Sequence, residues 1–533
     1  MPVSAPRDPG VSTPCRHWTS LAPSESADVY VCQKRSVLLR RLLSGMVTAM
    51  NKREQIDIQT LFARHPFARV ILDRLGAAGH EAVLIGGVVR DGLRSLWGDD
   101  VMYPPVDVDI ATSALPAEIR SLFAGHPIVG VGEEFGVIVI VSPDGRPYEV
   151  ATYRVEGEYD GRWPARVELV RDLAGDVRRR DLTINGLAAT LDGCVIDLVG
   201  GMGDLKARRV RAIGDPSLRF AEDYLRMLRA IRFACQIDGD LDGPTAEAIS
   251  AHAGGLTAIS GERIRDELLR TLATARGCRG VELLDRLGLL AHVLPELGEG
   301  KGVPQPEAYH PEGDVFEHTL AAMRVADTFI RDPMVKLAVL LHDVGKPQAL
   351  ARNEGANMGG HCALGAWQAK RIAHRLRLSR ADTGRLTFLV KNHMRIADFP
   401  EMGRGKQVLF LTEGEVPDVR PFGERYPRFF ELLQVLVADC EASAHRAAGW
   451  GPILEETLRV VLHVERVGNL RRARDLVDGH DLSQLGLRDG PEMGRVLGIL
   501  HDRILAGEIA SRDEALEAAR SLLRGDHGTF GGH

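Results

Sequence analysis

The chain has 533 residues, enough for several domains with cores of their own. With 44% hydrophobic and 26% charged residues it reads as an ordinary soluble globular protein, and no apolar run reaches membrane-spanning length. A net charge of −6 excludes a globally basic nucleic-acid binder, so any RNA contact must come from local arginine clusters. The cysteines (Cys15, Cys32, Cys194, Cys235, Cys278, Cys362 and Cys440) form no Cys-x-x-Cys pair. That argues against a disulfide framework or zinc ribbon and fits a reducing, cytoplasmic setting.

Residues 1–50 carry Pro, Ser and Arg without sustained periodicity and read as a disordered or mis-started extension. Leu38 to Leu43 is broken by Arg40 and Arg41, too short and charged for a secretory signal. Met46 and Met50 stand beside Met1 as alternative starting residues. An apolar face of Ile58, Leu61, Phe62, Val70, Leu72 and Leu75 predicts a helix over 56–79. Val83 to Ile85 predicts a buried strand, followed at once by Gly86, Gly87 and a helical pattern from Val88. That order makes a phosphate seat, because backbone N–H groups can approach an anion where no Cβ intervenes. Arg90 can add a charged fork to the same anion. Asp107 and Asp109 alternate along the next strand, so both carboxylates point to one face. Two hard carboxylates side by side call for a cation, and Mg²⁺ takes such oxygens together with substrate phosphates. A lone Gly-Gly is commonly just a turn, and a lone Asp-x-Asp a solvated strand end. Together, in this order, they read as phosphoryl or nucleotidyl transfer. The stretch resembles the nucleotidyltransferase head of the bacterial CCA-adding enzyme and poly(A) polymerase family, whose signature is Gly-Gly-x-Val-Arg-Asp followed by Asp-x-Asp-Ile.

Leu115 to Phe123 predicts a helix with Pro116 in its first turn. A turn from residue 129 leads into a β-branched strand ending at Val141; Pro143-Asp144-Gly145 turns the chain, and Tyr148 to Tyr153 returns as its partner. Glu149 then shares a sheet with the Asp pair, as a third carboxylate able to ligate metal or accept a hydroxyl proton, or as a plain solvent-facing residue. Residues 178–189 look like a helix N-terminus in which Arg180 can reach a triphosphate while Asp181 and Asn185 cap and brace. The run resembles the family motif Arg-Arg-Asp-x-Thr-x-Asn-Ala, with Gly186 in place of Ala.

In residues 214–234, Asp223, Arg226, Arg229 and Arg232 recur every third position. On one helix such a stripe drifts about 60° per step, so Asp223 and Arg226 are neighbours and Arg232 ends up roughly opposite Asp223. A carboxylate beside a guanidinium complements the amino donor and ring-nitrogen acceptor shared by cytosine and adenine, and mismatches guanine and uracil. Family resemblance implies that this is the protein template for CTP and ATP, with nucleotide contacts from all three arginines. Helix geometry supports that least at Arg232. Ser260 to Leu269 resembles the family's next motif. The resemblance runs over about residues 80–300, with five motifs in order.

A Pro- and Gly-rich linker (300–313) precedes a second pattern. His318, His342-Asp343 within Leu-Leu-His-Asp-Val-Gly-Lys, His361, His393 and Asp439 resemble the HD phosphohydrolase superfamily. His318, His342, Asp343 and Asp439 match its core metal set; His361 and His393 match the additional ligands or phosphate contacts of two-metal members. The implied cofactor is an unidentified divalent metal that activates water on a phosphate ester. From about 446 to 524 the chain reads as helical; Arg471, Arg472 and Arg474, with the turn at Gly486 and Gly490-Pro491, suit RNA phosphate contacts.

The expected fold is α+β: a small mixed β-sheet nucleotidyltransferase head (51–190), then a mainly helical neck and body (191–300), HD domain (301–445) and RNA-binding tail (446–533). The expected function is template-independent addition of C, C and A to tRNA from CTP and ATP, with Mg²⁺ at Asp107 and Asp109, no membrane and no obligate protein partner. Gly86, Gly87, Arg90 and Arg180 hold the triphosphate. The rivals are an A-adding enzyme or poly(A) polymerase, an HD-type nucleotide-signalling hydrolase, and a silent RNA-binding protein.

Overall fold

The computed structural model describes residues 54–130, 135–157, 159–160, 163–164, 167–308, 310–412, 422–443, 446–467 and 470–524. The expected extension over 1–50, part of the turn after 129 and the Gly-rich C-terminus lie outside these residues. So do the side chains of Arg471 and Arg472. No described helix is long and apolar enough to cross a membrane.

The fold is α+β, as expected. The helix expected over 56–79 is two, Ile58–Arg64 and α1 (Pro66–Ala77), because His65 leaves the helical region and Pro66 starts a new turn. A seven-stranded sheet follows, built from β1 (Ala82–Ile85), β2 (Asp109–Thr112), β3 (Ile128–Val129), β4 (Val137–Val141), β5 (Pro147–Thr152), β6 (Leu187–Ala189) and β7 (Val195–Asp197). Its order is β7-β6-β1-β2-β5-β4-β3, antiparallel except for the parallel β2–β5 pair. Leu84, Ile110 and Val150 face one core; Val83, Ile85 and Ala111 face a second, so the period of two serves both sides of the sheet. The β5 register sets Asp109 directly opposite Glu149. Residues 178–189 do not begin a helix: Thr183–Asn185 is a single 3₁₀ turn and Leu187–Ala189 is strand β6. The sheet ends with β7, past the boundary placed at 190.

Among the described residues the remainder is helical apart from three short two-stranded ribbons, which pair Arg154–Glu156 with Val167–Leu169, Tyr159–Asp160 with Trp163–Pro164, and Arg209–Val210 with Asp240–Leu241. Between β1 and β2 lies α2 (Gly87–Leu96), and α3 (Leu173–Arg178) precedes β6. The expected continuous helix over 214–234 is broken: α4 (Pro216–Glu222) ends at Asp223, whose extended backbone (φ −154°) separates it from α5 (Leu225–Gln236). Then come α6 (Gly261–Leu272), α7 (Val315–Phe329), α8 (Pro333–Leu341), α9 (His361–Arg375), α10 (Arg380–Asn392), α11 (Arg404–Thr412), α12 (Pro427–Ala442), α13 (Arg446–Val467) and α14 (Pro491–Ala506). α7, α8, α10 and α12 pack together, with α9 against α10. α11 packs on α14 through Gly405, where a Cβ would lie 2.3 Å from the Asp502 carbonyl oxygen. The last helices therefore begin their packing before residue 446.

Candidate functional site

Two clusters of chemistry-bearing side chains form, one on the sheet and one in the helices. At the first, β1 ends at Gly86, whose φ of +76° is a conformation that a side chain strains to adopt. A Cβ here would lie 3.8 Å from Arg180 Nη1 and 4.0 Å from Asp109 Oδ2, so strand end, arginine and aspartate meet at one point. Asp109 opens β2, and Asp107 precedes it with Val108 buried between them. With Glu149 across the parallel pair, three carboxylates gather at one end of the sheet. Desolvation raises Asp109 from its usual range, Arg180 opposes this, and Asp107 adds to it. Desolvation and then Asp109 raise Glu149. Mutual repulsion of this kind is what a divalent cation relieves, and an all-oxygen donor set suits magnesium.

Arg180 is aimed by a residue the sequence reading passed over. Asp176, buried at the end of α3, accepts from Arg180 Nη2 at 3.0 Å and Arg179 Nη2 at 2.7 Å. Burial works to raise Asp176, but the two guanidinium groups outweigh it and hold the carboxyl low. The Asp-x-x-Arg-Arg spacing, i to i+3 and i+4, was the available signal.

Arg90 is not a free fork. It is buried, donates to both oxygens of Asp91 (2.8 and 2.9 Å), and gives Nη1 to Asn185 Oδ1 at 2.7 Å over the Phe233 ring. Asn185 Nδ2 lies 3.4 Å from Asp181 Oδ1, and Arg229 Nε donates to Asp181 Oδ2 at 2.7 Å. Arg229 also lies 3.9 Å from Glu267, which accepts from Arg232 Nε at 2.6 Å. One alternating chain of polar groups thus runs from α2 beneath β1 to α5 and α6. Burial alone raises Asp181, but Arg229 brings its pKa down to about 2. Arg232 is buried against Glu267, Gln236 and Phe233, which corrects the implied nucleotide contact: it is a packing arginine.

The expected Asp223–Arg226 pair does not form. The break after α4 turns Asp223 toward α6, where Arg263 grips both its oxygens at 2.6 and 3.2 Å. Asp223 also caps α5 through Leu225 N–H at 3.1 Å. Arg226 instead pairs with Glu222 and donates to the Arg219 carbonyl. An Asp able to cap a following helix signalled the break.

The second cluster brings together every histidine and aspartate expected there. His318 Nε2 lies 3.2 Å from His342 Nε2 and 3.0 Å from Asp439 Oδ1; His342 Nε2 lies 3.2 Å from Asp343 Oδ2. On the other side of Asp343, Oδ1 lies 3.5 Å from His361 Nε2 and 3.6 Å from His393 Nε2. Each imidazole is held through Nδ1: His318 by Glu312, His342 by the Val339 carbonyl, His361 by Met358 and His393 by Val390. Those acceptors place the ring proton on Nδ1 and leave four Nε2 lone pairs converging around one carboxylate. Lone pairs that face one another around a carboxylate are a donor set that could hold divalent metal. Burial disfavours charge on His342, but Asp343 and Asp439 push it up to about 9, so this ring also carries a proton on Nε2 that a metal would have to displace. Asp343 and Lys346 line a cavity of about 700 Å³, with apolar walls that include Leu350, Met358, Met394 and Leu436.

Residues 82–211 match the family model described as the Poly A polymerase head domain, and residues 240–300 match a probable RNA and SrmB-binding site of polymerase A. The chain is 42% identical over 475 residues to the CCA-adding enzyme of Limosilactobacillus fermentum, covering 88% of this chain and all of that one. It is 32% identical to the A-adding tRNA nucleotidyltransferase of Deinococcus radiodurans, over 81% of this chain and 94% of that one. Its fold resembles that of the Bacillus stearothermophilus CCA-adding enzyme in complex with CTP, with a TM-score of 0.59 at 24% identity over 86% of this chain and 98% of that one.

Proposed function

The chain belongs to the family of CCA-adding enzymes, and on that premise we propose that it adds C, C and A to the 3′ end of tRNA, without a nucleic-acid template, using CTP and ATP. The observation that carries this reading is the carboxylate trio of Asp107, Asp109 and Glu149 beside Gly86 and Arg180. Asp107 and Asp109 would hold Mg²⁺, which supplies a lowered pKa for the attacking 3′-hydroxyl and neutralises the departing diphosphate. Glu149 stands where it can take that hydroxyl proton. Gly87 would offer its backbone N–H to the triphosphate and Arg180 its guanidinium, whereas the Gly86 N–H is spent on the Leu187 carbonyl at 2.9 Å and Gly86 serves by its bare, positive-φ turn. Arg90, Asn185 and Asp181 brace the strand end against α5. Asp223 and Arg226, on either side of the break, read the base edge, with Arg263 holding Asp223 in place and Arg229 fixing the helix behind them. The cytoplasm is the setting such a reaction calls for.

The experiment is extension of tRNA transcripts ending before CCA, after C and after CC, with CTP, ATP or both, against Asp107→Ala/Asp109→Ala. Ordered addition of C, C and A followed by arrest supports the reading. The Deinococcus relative favours a second one: addition of A alone, and only after CC, makes this an A-adding enzyme, and a long A ladder makes it a poly(A) polymerase.

For the histidine cluster we infer a metal-dependent phosphohydrolase acting on a phosphate ester, such as a cyclic or terminal phosphate on an RNA end. The residues that would hold the metals are His318, His342, Asp343, His361, His393 and Asp439; metal there would supply an activated water. Lys346, 2.5 Å from Asp343, stands at the cavity to receive phosphate charge. Opening of a 2′,3′-cyclic phosphate to a phosphomonoester, or release of phosphate from a 3′-phosphorylated transcript, lost in Asp343→Asn, is the outcome expected. Equal release by both proteins removes the cluster from consideration.

A further inference from the structure

We propose that the second metal position of the histidine cluster is a thiolate site, with Cys362 as a ligand beside His361, His393 and Asp343. It would take a borderline metal of the zinc or cobalt(II) class in preference to magnesium. The proposal rests on reading the cluster as a metal centre.

The distances carry it. Cys362 Sγ lies 3.5 Å from His361 Nε2, and His361 Nε2 lies 3.3 Å from His393 Nε2. The sulfur and both ring nitrogens fall within 4.8 Å of one another. Asp343 Oδ1 completes the set at 3.5 and 3.6 Å from the two nitrogens. Tetrahedral zinc has Zn–N and Zn–O near 2.1 Å and Zn–S near 2.3 Å, which sets neighbouring N···N and N···O at about 3.4 Å and N···S at about 3.6 Å. The Cys362–His361 edge and the three edges among His361, His393 and Asp343 match that figure closely, and the Cys362–His393 edge lies within 4.8 Å. A cysteine one residue along a helix from a ligand can be mere filling. This one turns its sulfur back to the nitrogen that a metal would use.

The other position differs. His318, His342, Asp439 and Oδ2 of Asp343 make a set of nitrogens and oxygens with no sulfur. The two positions therefore differ in softness while sharing Asp343. Magnesium seeks six oxygens and several waters, which two imidazoles and a sulfur do not provide. Burial and then Asp343 keep the free thiol protonated, and a bound metal displaces that proton.

The test uses the full-length protein, stripped with a chelator and titrated with Co²⁺. Metal content is followed by dialysis and mass spectrometry, and thiolate ligation by the near-ultraviolet sulfur-to-cobalt charge-transfer band. The expected result is two cobalt ions per chain, one of them bringing the band. Cys362→Ser loses the band and retains one tightly held ion, whereas His318→Ala keeps the band. Circular dichroism and nucleotide addition by the head establish that each variant is folded. Two bound ions without the band in the unaltered chain overturn the thiolate and leave the metal centre standing. A band that survives in Cys362→Ser assigns it to another sulfur, such as Cys440 in the same cavity, and also overturns the proposal. No tight cobalt binding at all overturns both this proposal and the metal-centre reading.

Discussion

Arg263→Lys is the sharpest probe of base selection. Arg263 holds both oxygens of Asp223 through two donors, with both side chains about one-fifth exposed or less. A hydrogen bond between charged groups contributes about 1.5–3 kcal/mol, and partial exposure puts this pair at the low end. Lysine keeps the charge and one contact but loses the fork that fixes the carboxylate plane. Losing about 1.4 kcal/mol of alignment in the transition state is a tenfold loss in rate. Single-addition kinetics on tRNA transcripts should therefore show kcat/KM for CTP and ATP about tenfold lower. UTP and GTP gain nothing from a well-placed Asp223, so their values stay level and discrimination shrinks by the same factor. Arg263→Ala should go further in the same direction. Discrimination unchanged in a folded Arg263→Ala protein would refute the claim that Arg263 positions the base-reading carboxylate.

Asp181 carries a pH signature. Its folded pKa of about 2 lies below the ordinary 3.8, so its contribution is complete above pH 3.8 and is lost as pH falls through 2. It is worth roughly 2 kcal/mol at neutral pH; urea unfolding of Asp181→Asn at pH 7 should show that loss, and unaltered stability would count against the Arg229 pairing. Arg232→Leu should leave the KM for CTP and ATP unchanged while destabilising the chain by about 3 kcal/mol, because Glu267 stays buried with only the more distant Arg229, at 3.9 Å, to offset its charge. A raised KM in a fully stable variant would return Arg232 to the nucleotide site. Chelation followed by restoring only Mg²⁺ should recover nucleotide addition but not phosphate-ester hydrolysis, read on the same sample. Recovery of both together would show that the two centres share one metal preference.

The two aspartates were legible as neighbours from their spacing, but the strand expected to carry both begins only at Asp109, so Asp107 stands just ahead of it and strand alternation does not set its direction. Glu149 could be put in the same sheet, but not directly opposite Asp109, since no local pattern sets the register of two strands whose residues are 40 positions apart. The histidine cluster could be listed from spacing, yet Cys362 stood beside His361 unremarked, because a scattered cysteine has no sequence partner. The expected side-chain contact between Asp223 and Arg226 failed for a definite reason: both residues were put on one helix, and a single extended residue at Asp223 exchanges its neighbour from Arg226 to Arg263. The strand at Leu187–Ala189 was missed because a polar start and apolar follow-on serve a 3₁₀ turn before a strand as well as they serve a helix.

The alternating run from Asp91 through Arg90, Asn185, Asp181, Arg229 and Glu267 to Arg232 has a consequence for how this protein can change. Each member is the partner of the next, so losing any one leaves its neighbour without its partner, in a buried place for Arg90, Asn185, Asp181, Glu267 and Arg232 and a half-buried one for Asp91 and Arg229. Substitution there is tolerated in pairs: a lineage that replaces Glu267 must also replace Arg232, and one that replaces Asp181 must also give up Arg229. Drift along this line should be slow and arrive in jumps of two. Correlated pairs of this kind among relatives would trace the same path through the head and neck with no coordinates in hand.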